Sequence, residues 1–380
     1  MSNSQIDSAV ARTPVEIWSE ILSYLVDDPK AHPLCEPIEF EDYVFPHKSP
    51  HRFDKATYET LRAVCRSWRT IVEQCACILQ EVVIQNNTPI SNALPQKVGY
   101  LGIQWLKSPS EFPNFSSAFG APSCRVIHIE VRFNLDSNLL RHIILWLAGL
   151  PSLRALRLRC GYNIPLSKPE VLFRLLSDTC MNLTSLSLSH FPPSPELLSL
   201  PRLKILIFHF DLSLGPLTHY FSGWSLPRLI MLGLTFHNLA NPTNINVDLN
   251  VFGPITKGIK GLSLFAFTRP KYIINFPIDL DETFPSLEFL FLRNAPLHLY
   301  KPIPPQHPLQ FIKFSSIRIF PIFSLSILPP EKHKRHQPVK LYLENEKILL
   351  EDSKFLDTLM DAGMEALTWN GGPVKNGGLC

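Results

Sequence analysis

One phrase returns along most of this chain and leaves few folds open: an apolar residue, two others, then apolar-x-apolar. Its clear copies are LPSLRALRL (150–158), MNLTSLSL (181–188), LPRLKILIF (200–208), LPRLIMLGL (226–234) and FPSLEFLFL (284–292). Weaker copies are VGYLGI (98–103), CRVIHI (124–129), IKGLSL (259–264), LQFIKF (309–314) and PVKLYL (338–343). Their middle apolar residues are Leu101, Ile127, Leu156, Leu186, Leu206, Leu232, Leu262, Leu290, Ile312 and Leu341, spaced 20 to 30 residues apart. Alternation within each phrase puts the apolar side chains on one face of a short strand. No single unit can bury that face alone, so the units must stack.

Phrase and period together resemble the leucine-rich repeat, in which each unit contributes a strand and a return segment. The resemblance implies a curved solenoid over 85–369. Helical returns are expected at 136–149 and 168–180, and irregular ones where prolines crowd, as in FPPSPELLSLP and KPIPPQHP. The stretch 352–362 reads as a closing helix, with an apolar patch from Leu367 to Trp369 and a disordered tail at 370–380.

The front of the chain is different. After a disordered start at 1–12, residues 13–26 read TPVEIWSEILSYLV. Thr13 caps a helix, Pro14 follows it and Glu16 completes a capping box. Trp18, Ile21, Leu22 and Leu25 make one apolar stripe, which Ile17 and Tyr24 widen. A second helical pattern covers 55–74, where Tyr58, Leu61, Cys65, Trp68 and Val72 recur at steps of three and four with Val64 and Ile71 beside them. Between them 27–53 holds five prolines and reads as a loop. These helices carry more apolar surface than so short a module can cover.

The runs TPVEIWSEILSYL and LRAVCRSWRTIV resemble the F-box: Leu-Pro-x-Glu-Ile, then Ile-Leu-x-x-Leu, then Val-Cys-x-x-Trp. Thr13 stands where the pattern has Leu, and the insertion at 27–53 is similar to one in many fungal F-box proteins. The resemblance covers 13–84 and implies an all-helical module that docks on the Skp-type adaptor of a cullin-based ubiquitin ligase. By the motif match, Pro14, Ile17, Leu22, Leu25, Leu61, Val64 and Trp68 are the adaptor-binding positions.

Charge divides the chain in the same way. Residues 1–84 hold 8 Lys+Arg against 13 Asp+Glu, and the remainder holds 28 against 20. The whole carries only +3, which argues against nucleic acid as the main partner. No signal peptide or 18-residue apolar run is evident, so an intracellular protein, cytoplasmic or nuclear, with no membrane partner is expected. The eight cysteines are then expected as thiols. Cys75-x-Cys77 lacks a second ligand pair, so no metal is expected.

Catalytic signatures do not emerge. GPITKGIK at 253–260 has Ile259 where a phosphate-binding loop needs Lys, and the histidines cluster only in KHKRH (His333, His336). No enzyme activity and no cofactor are expected. The expected fold is thus an α+β or α/β solenoid, an all-helical F-box module at 13–84 followed by an irregular leucine-rich-repeat horseshoe. Its expected function is target recognition for an SCF-type ubiquitin ligase. The alternative is a scaffold or inhibitor whose front helices are only a cap.

Residues alternating with the inward ones are the candidate surface for an unknown target protein: His128, Glu130, Arg132, Arg157 and Arg159, then Ser187, Ser189, His209 and Thr235, then Phe265, Phe289, Phe291 and Arg293. Among these Arg132, Arg157, Arg159, Phe265, Phe289, Phe291 and Arg293 are the expected cargo contacts. An arginine-rich start and a phenylalanine-rich end suit an acidic segment followed by an apolar anchor.

Overall fold

The structure, a computed structural model, describes residues 60, 63–64, 66, 69, 80–85, 98–105, 124, 126–131, 137–160, 169–189, 197–211, 221, 223–238, 245–268, 274–294, 297–299, 303–304, 306–315, 339–343 and 364–368. The chain divides into two compact units, Met1–Phe133 with His142–Gly161, and Asn134–Arg141 with Tyr162–Cys380.

The repeated phrase builds a turn and then a strand. In Leu150-Pro-Ser-Leu153, Leu200-Pro-Arg-Leu203, Leu226-Pro-Arg-Leu229 and Phe284-Pro-Ser-Leu287, the last N–H donates to the first carbonyl at 3.1 Å. Proline's fixed φ suits the second place of such a turn. The apolar residues bracketing each proline are all buried, so each turn is pinned to the core. The chain then enters the ladder, as where Ile230 N–H donates to Lys204 O at 2.9 Å and Lys260 N–H to Ile230 O at 2.8 Å.

In the first unit the strands are β1 (Gln80–Gln85), β2 (Val98–Trp105), β3 (Val126–Val131) and β4 (Ala155–Arg159), parallel and in that order. Leu101, Ile127 and Leu156 stand in register, and all three are fully buried.

In the second unit the strands are β5 (Ser185–Ser189), β6 (Ile205–Asp211), β7 (Met231–Asn238), β8 (Ile245–Asn246), β9 (Gly261–Thr268), β10 (Ile274–Ile278), β11 (Phe289–Arg293), β12 (Leu297–Leu299), β13 (Phe311–Ser315), β14 (Val339–Leu343) and β15 (Met364–Thr368). Eight run parallel in the order β5-β6-β7-β9-β11-β13-β14-β15. Leu186, Leu206, Leu232, Leu262, Leu290, Ile312 and Leu341 form one continuous row across β5 to β14. The other three strands form a second parallel sheet, β12-β10-β8.

Two helices of about three turns are α1 (Ser137–Ala148) and α2 (Pro169–Thr179), which bury Leu140, Ile143, Ile144 and Leu147, and Leu172, Phe173 and Leu176, respectively. That is the 3.6-residue stripe of a helix with one buried face. A 3₁₀ turn (Leu249–Phe252) and the single-turn helices α3 (Gly253–Thr256) and α4 (Leu280–Thr283) complete the returns. Asp248 and Asp279 cap two of them by accepting from Asn250 N–H and Glu282 N–H.

The second unit's core is aromatic. Phe210 lies 4.5 Å from Phe208 and 5.4 Å from Phe236, ring centre to ring centre, and Phe221 lies 4.4 Å from Phe252. Trp224 meets Phe173 of α2 at 5.3 Å and Phe208 of β6 at 6.2 Å, tying the helix to the sheet. Each such pair is worth about 0.5–1.5 kcal/mol beyond the area it buries.

These findings correct the expected fold. Among the described residues the architecture is α/β on all-parallel strands, not an all-helical module followed by a leucine-rich-repeat horseshoe. Residues 80–84, assigned from sequence to the helical module, are strand: Val82 and Ile84 pair with Leu101 and Ile103, and β-branched side chains favour strand over helix. Segments read as irregular returns carry a second sheet instead, because Phe276 and Ile278 need burial and reach 0 % exposure. A strand at Met364–Thr368 takes the place of the simple apolar patch expected at Leu367 to Trp369. The expected helix at 13–26, most of that at 55–74, the closing helix at 352–362 and both expected disordered ends lie outside the described residues.

Candidate functional site: the outward face of the parallel strands

Alternation along the strands leaves every residue between two inward apolar ones on the opposite face. In the second unit three rows result. One runs Ser187, Ile207, Gly233, Ser263, Phe291, Lys313 and Tyr342. A second runs Ser189, His209, Thr235, Phe265 and Arg293, and a third Ile205, Met231, Gly261, Phe289, Phe311, Lys340 and Glu365.

The rows change character along the sheet. On β5 to β7 the outward rows hold buried Ser187, Ser189 and Thr235, with His209 and His237 stacked 6.0 Å apart, and buried Ile207; only the Ile205 and Met231 row is half-buried. Gly261 belongs to this close packing, since a Cβ there would run into the Met231 side chain. On β11 to β14 the face becomes aromatic and half-buried. Phe289 lies 4.6 Å from Phe311, and Phe311 makes edge contacts at 6.0 Å with both Phe291 and Tyr342. The Arg293 guanidinium sits 4.9 Å over the Phe265 ring, a cation–π stack that sets its plane.

Of the sequence-derived cargo positions, Phe265, Phe289, Phe291 and Arg293 come together on this face, on adjacent strands β9 and β11. Arg157 and Arg159 belong to the first unit, on β4. Arg157 is 2 % exposed, and Arg159 is half-buried with Glu130 opposite it in register. Arg132 lies outside the described residues. Sequence reasoning missed Phe311, Tyr342, Lys313 and Lys340. The signal was available: in LQFIKF and PVKLYL they hold the same offsets from the middle apolar residue as the positions chosen elsewhere.

Of the adaptor-binding positions, Val64 is described. It is helical, with helical Thr60, Ala63, Arg66 and Arg69 around it, and is 55 % exposed. Pro14, Ile17, Leu22, Leu25, Leu61 and Trp68 lie outside the described residues.

Chemistry elsewhere is quiet. Burial pushes the Cys160 thiol up to about 12 and raises that of Cys180, against which a Thr179 hydrogen bond acts. Buried neutral thiols of this kind are poor nucleophiles. His307 is locked by two contacts: Nδ1 accepts from Leu309 N–H at 3.2 Å, so Nε2–H donates to Phe284 O at 3.1 Å. Among the described residues no three His, Cys, Asp or Glu side chains cluster to hold a metal. No described helix is long and apolar enough to cross a membrane.

No protein-family model matches the chain, and no curated protein is significantly similar to it.

Proposed function

We propose that this protein is a non-enzymatic recognition adaptor: the motif-bearing segments 13–26 and 55–74 dock on the Skp-type subunit of a cullin-based ubiquitin ligase, and the outward sheet face holds a target protein. What carries the reading is the residue-by-residue likeness of TPVEIWSEILSYL and LRAVCRSWRTIV to the F-box. Val64 supports it, because an anchor must present apolar surface before its partner arrives, and this valine is 55 % exposed on a helical segment. The aromatic face of β11 to β14 supplies a separate surface for the target.

The mechanism is proximity. A bound target is held near a ubiquitin-charged partner, which raises its effective concentration without any bond chemistry in this chain. On this reading the protein works inside the cell, needs no cofactor, and depends on a few buried anchors for docking.

Co-purification with a Skp-type subunit tests it, with circular dichroism on each variant. Wild type is expected to be retained, and Leu22→Ala and Trp68→Ala to lose retention. Val64→Asp replaces an exposed side chain, so it is expected to keep the fold and lose the partner. Folded wild type that shows no association overturns the adaptor reading and leaves a scaffold or inhibitor.

A further inference from the structure

The outward face of β9, β11, β13 and β14 offers a more specific surface than the sequence suggested, and its chemistry selects a partner. Phe289, Phe291, Phe311 and Tyr342 make a run of rings with centres 4.6 to 6.0 Å apart, half-buried and so partly open to solvent. Their packing against one another fixes the rings before anything binds, which lowers the ordering cost of binding. Two accessible cations border the run, half-buried Arg293 beside Phe265 and exposed Lys340 opposite Phe311; Lys313, opposite Phe291 in register, is itself buried. Glu365, exposed and opposite Lys340 in register, is the one acid among the described outward residues of β9 to β15, so Arg293 and Lys340 leave the accessible face positive by one charge.

We infer that this face takes an extended peptide segment of the target that carries acidic residues next to an aromatic or large aliphatic anchor. The apolar anchor seats on Phe311 and its neighbours, while carboxylates are drawn to Arg293 and Lys340. Charge complementarity chooses this occupant over a basic or neutral one. A single-stranded nucleic acid could also stack on rings, but it needs a tract of cations along its phosphates, and two accessible ones on this face set against Glu365 do not make one. The inference rests on the reading of the sheet face as the target-holding surface, and it narrows that surface from both ends of the expected contacts to the later strands of the second unit.

The test pans a random 12-residue peptide library on the immobilised full-length protein, with a 15-nucleotide oligo-dT as a second probe. Enrichment of peptides that pair Asp or Glu with Phe, Trp, Tyr or Leu is expected. Phe311→Ala is expected to weaken the enriched peptides by about tenfold or more, as hot-spot truncation does. Lys340→Gln alters an exposed side chain without placing a like charge opposite Glu365; it is expected to weaken them several-fold. Enrichment of basic peptides, no enrichment, or peptides indifferent to both variants overturns the inference. Tight, salt-sensitive oligo-dT binding without peptide binding overturns it in favour of nucleic acid. The adaptor reading fails separately: peptide capture that survives in Val64→Asp, beside a wild type that ignores the Skp-type subunit, sinks that reading and spares this one.

Discussion

Strands β5 to β7 and strands β11 to β14 bury the same kind of inward row, but the outward face they share differs in character between them. On the first group the outward Ser187, Ser189 and Thr235 are 0 %, 1 % and 7 % exposed, so those two rows are closed. On the second, Phe289, Phe291, Phe311 and Tyr342 are half-buried and lean on one another. Inward positions decide whether the sheet exists; outward ones decide what can sit on it.

The largest effect should come from breaking an inward position. Phe210→Ala removes a ring that contacts Phe208, Phe221, Phe236 and Phe252, and is expected to cost about 3–5 kcal/mol in denaturant unfolding. Alkaline pH probes the interior next. Burial holds the folded Cys160 thiol near 12 against an ordinary 9.0, so the folded state retains its proton longer than the unfolded chain does. The stabilising contribution is complete below about pH 9 and is lost as pH rises toward 12, by about 1.4 kcal/mol per unit. Cys180, also raised, adds loss of the same sign. Cys160→Ala should flatten most of that slope in unfolding curves measured between pH 8 and 11.

Smaller effects sharpen the contrast on the closed face. The Ser189 hydroxyl is buried and has no hydrogen-bond partner among the described residues, so Ser189→Ala should be neutral or stabilising by up to about 1 kcal/mol. A loss greater than that would mean the hydroxyl is satisfied in solution. Gly261→Ala meets only the flexible end of Met231, which can swing aside, and should cost less than about 1 kcal/mol. Adding Met231→Ala to it should leave no coupling between the two sites beyond that amount.

The inward rows were legible because burying one face of a strand demands period-two apolar residues. The middle residues from Leu101 to Ile127 and Leu156, and from Leu186 to Leu341, stand opposite one another for that reason. Legibility stopped where period stopped. The phrase fixes a turn and a strand and is silent on what fills the return, so the β8-β10-β12 sheet was read as irregular chain and the whole as a repeat horseshoe. Residues 80–84 fell within the helical module because their neighbours at 55–74 have helical period, although Val82 and Ile84 alternate. Half of the candidate site was visible in strong copies of the phrase, at Phe289, Phe291 and Arg293. Phe311 and Tyr342 sat in weak copies where only the middle residue was weighed.

The most direct measurement sets Phe210→Ala beside Phe311→Ala, following unfolding free energy and capture of the enriched peptides in the same samples. Phe311→Ala should give up little stability, about 1–2 kcal/mol for a half-buried ring, and most of the capture. Phe210→Ala should lose stability first, with capture by the fraction still folded unchanged. If Phe311→Ala unfolds as readily as Phe210→Ala, or captures peptide as well as wild type, the division between inward and outward faces is wrong.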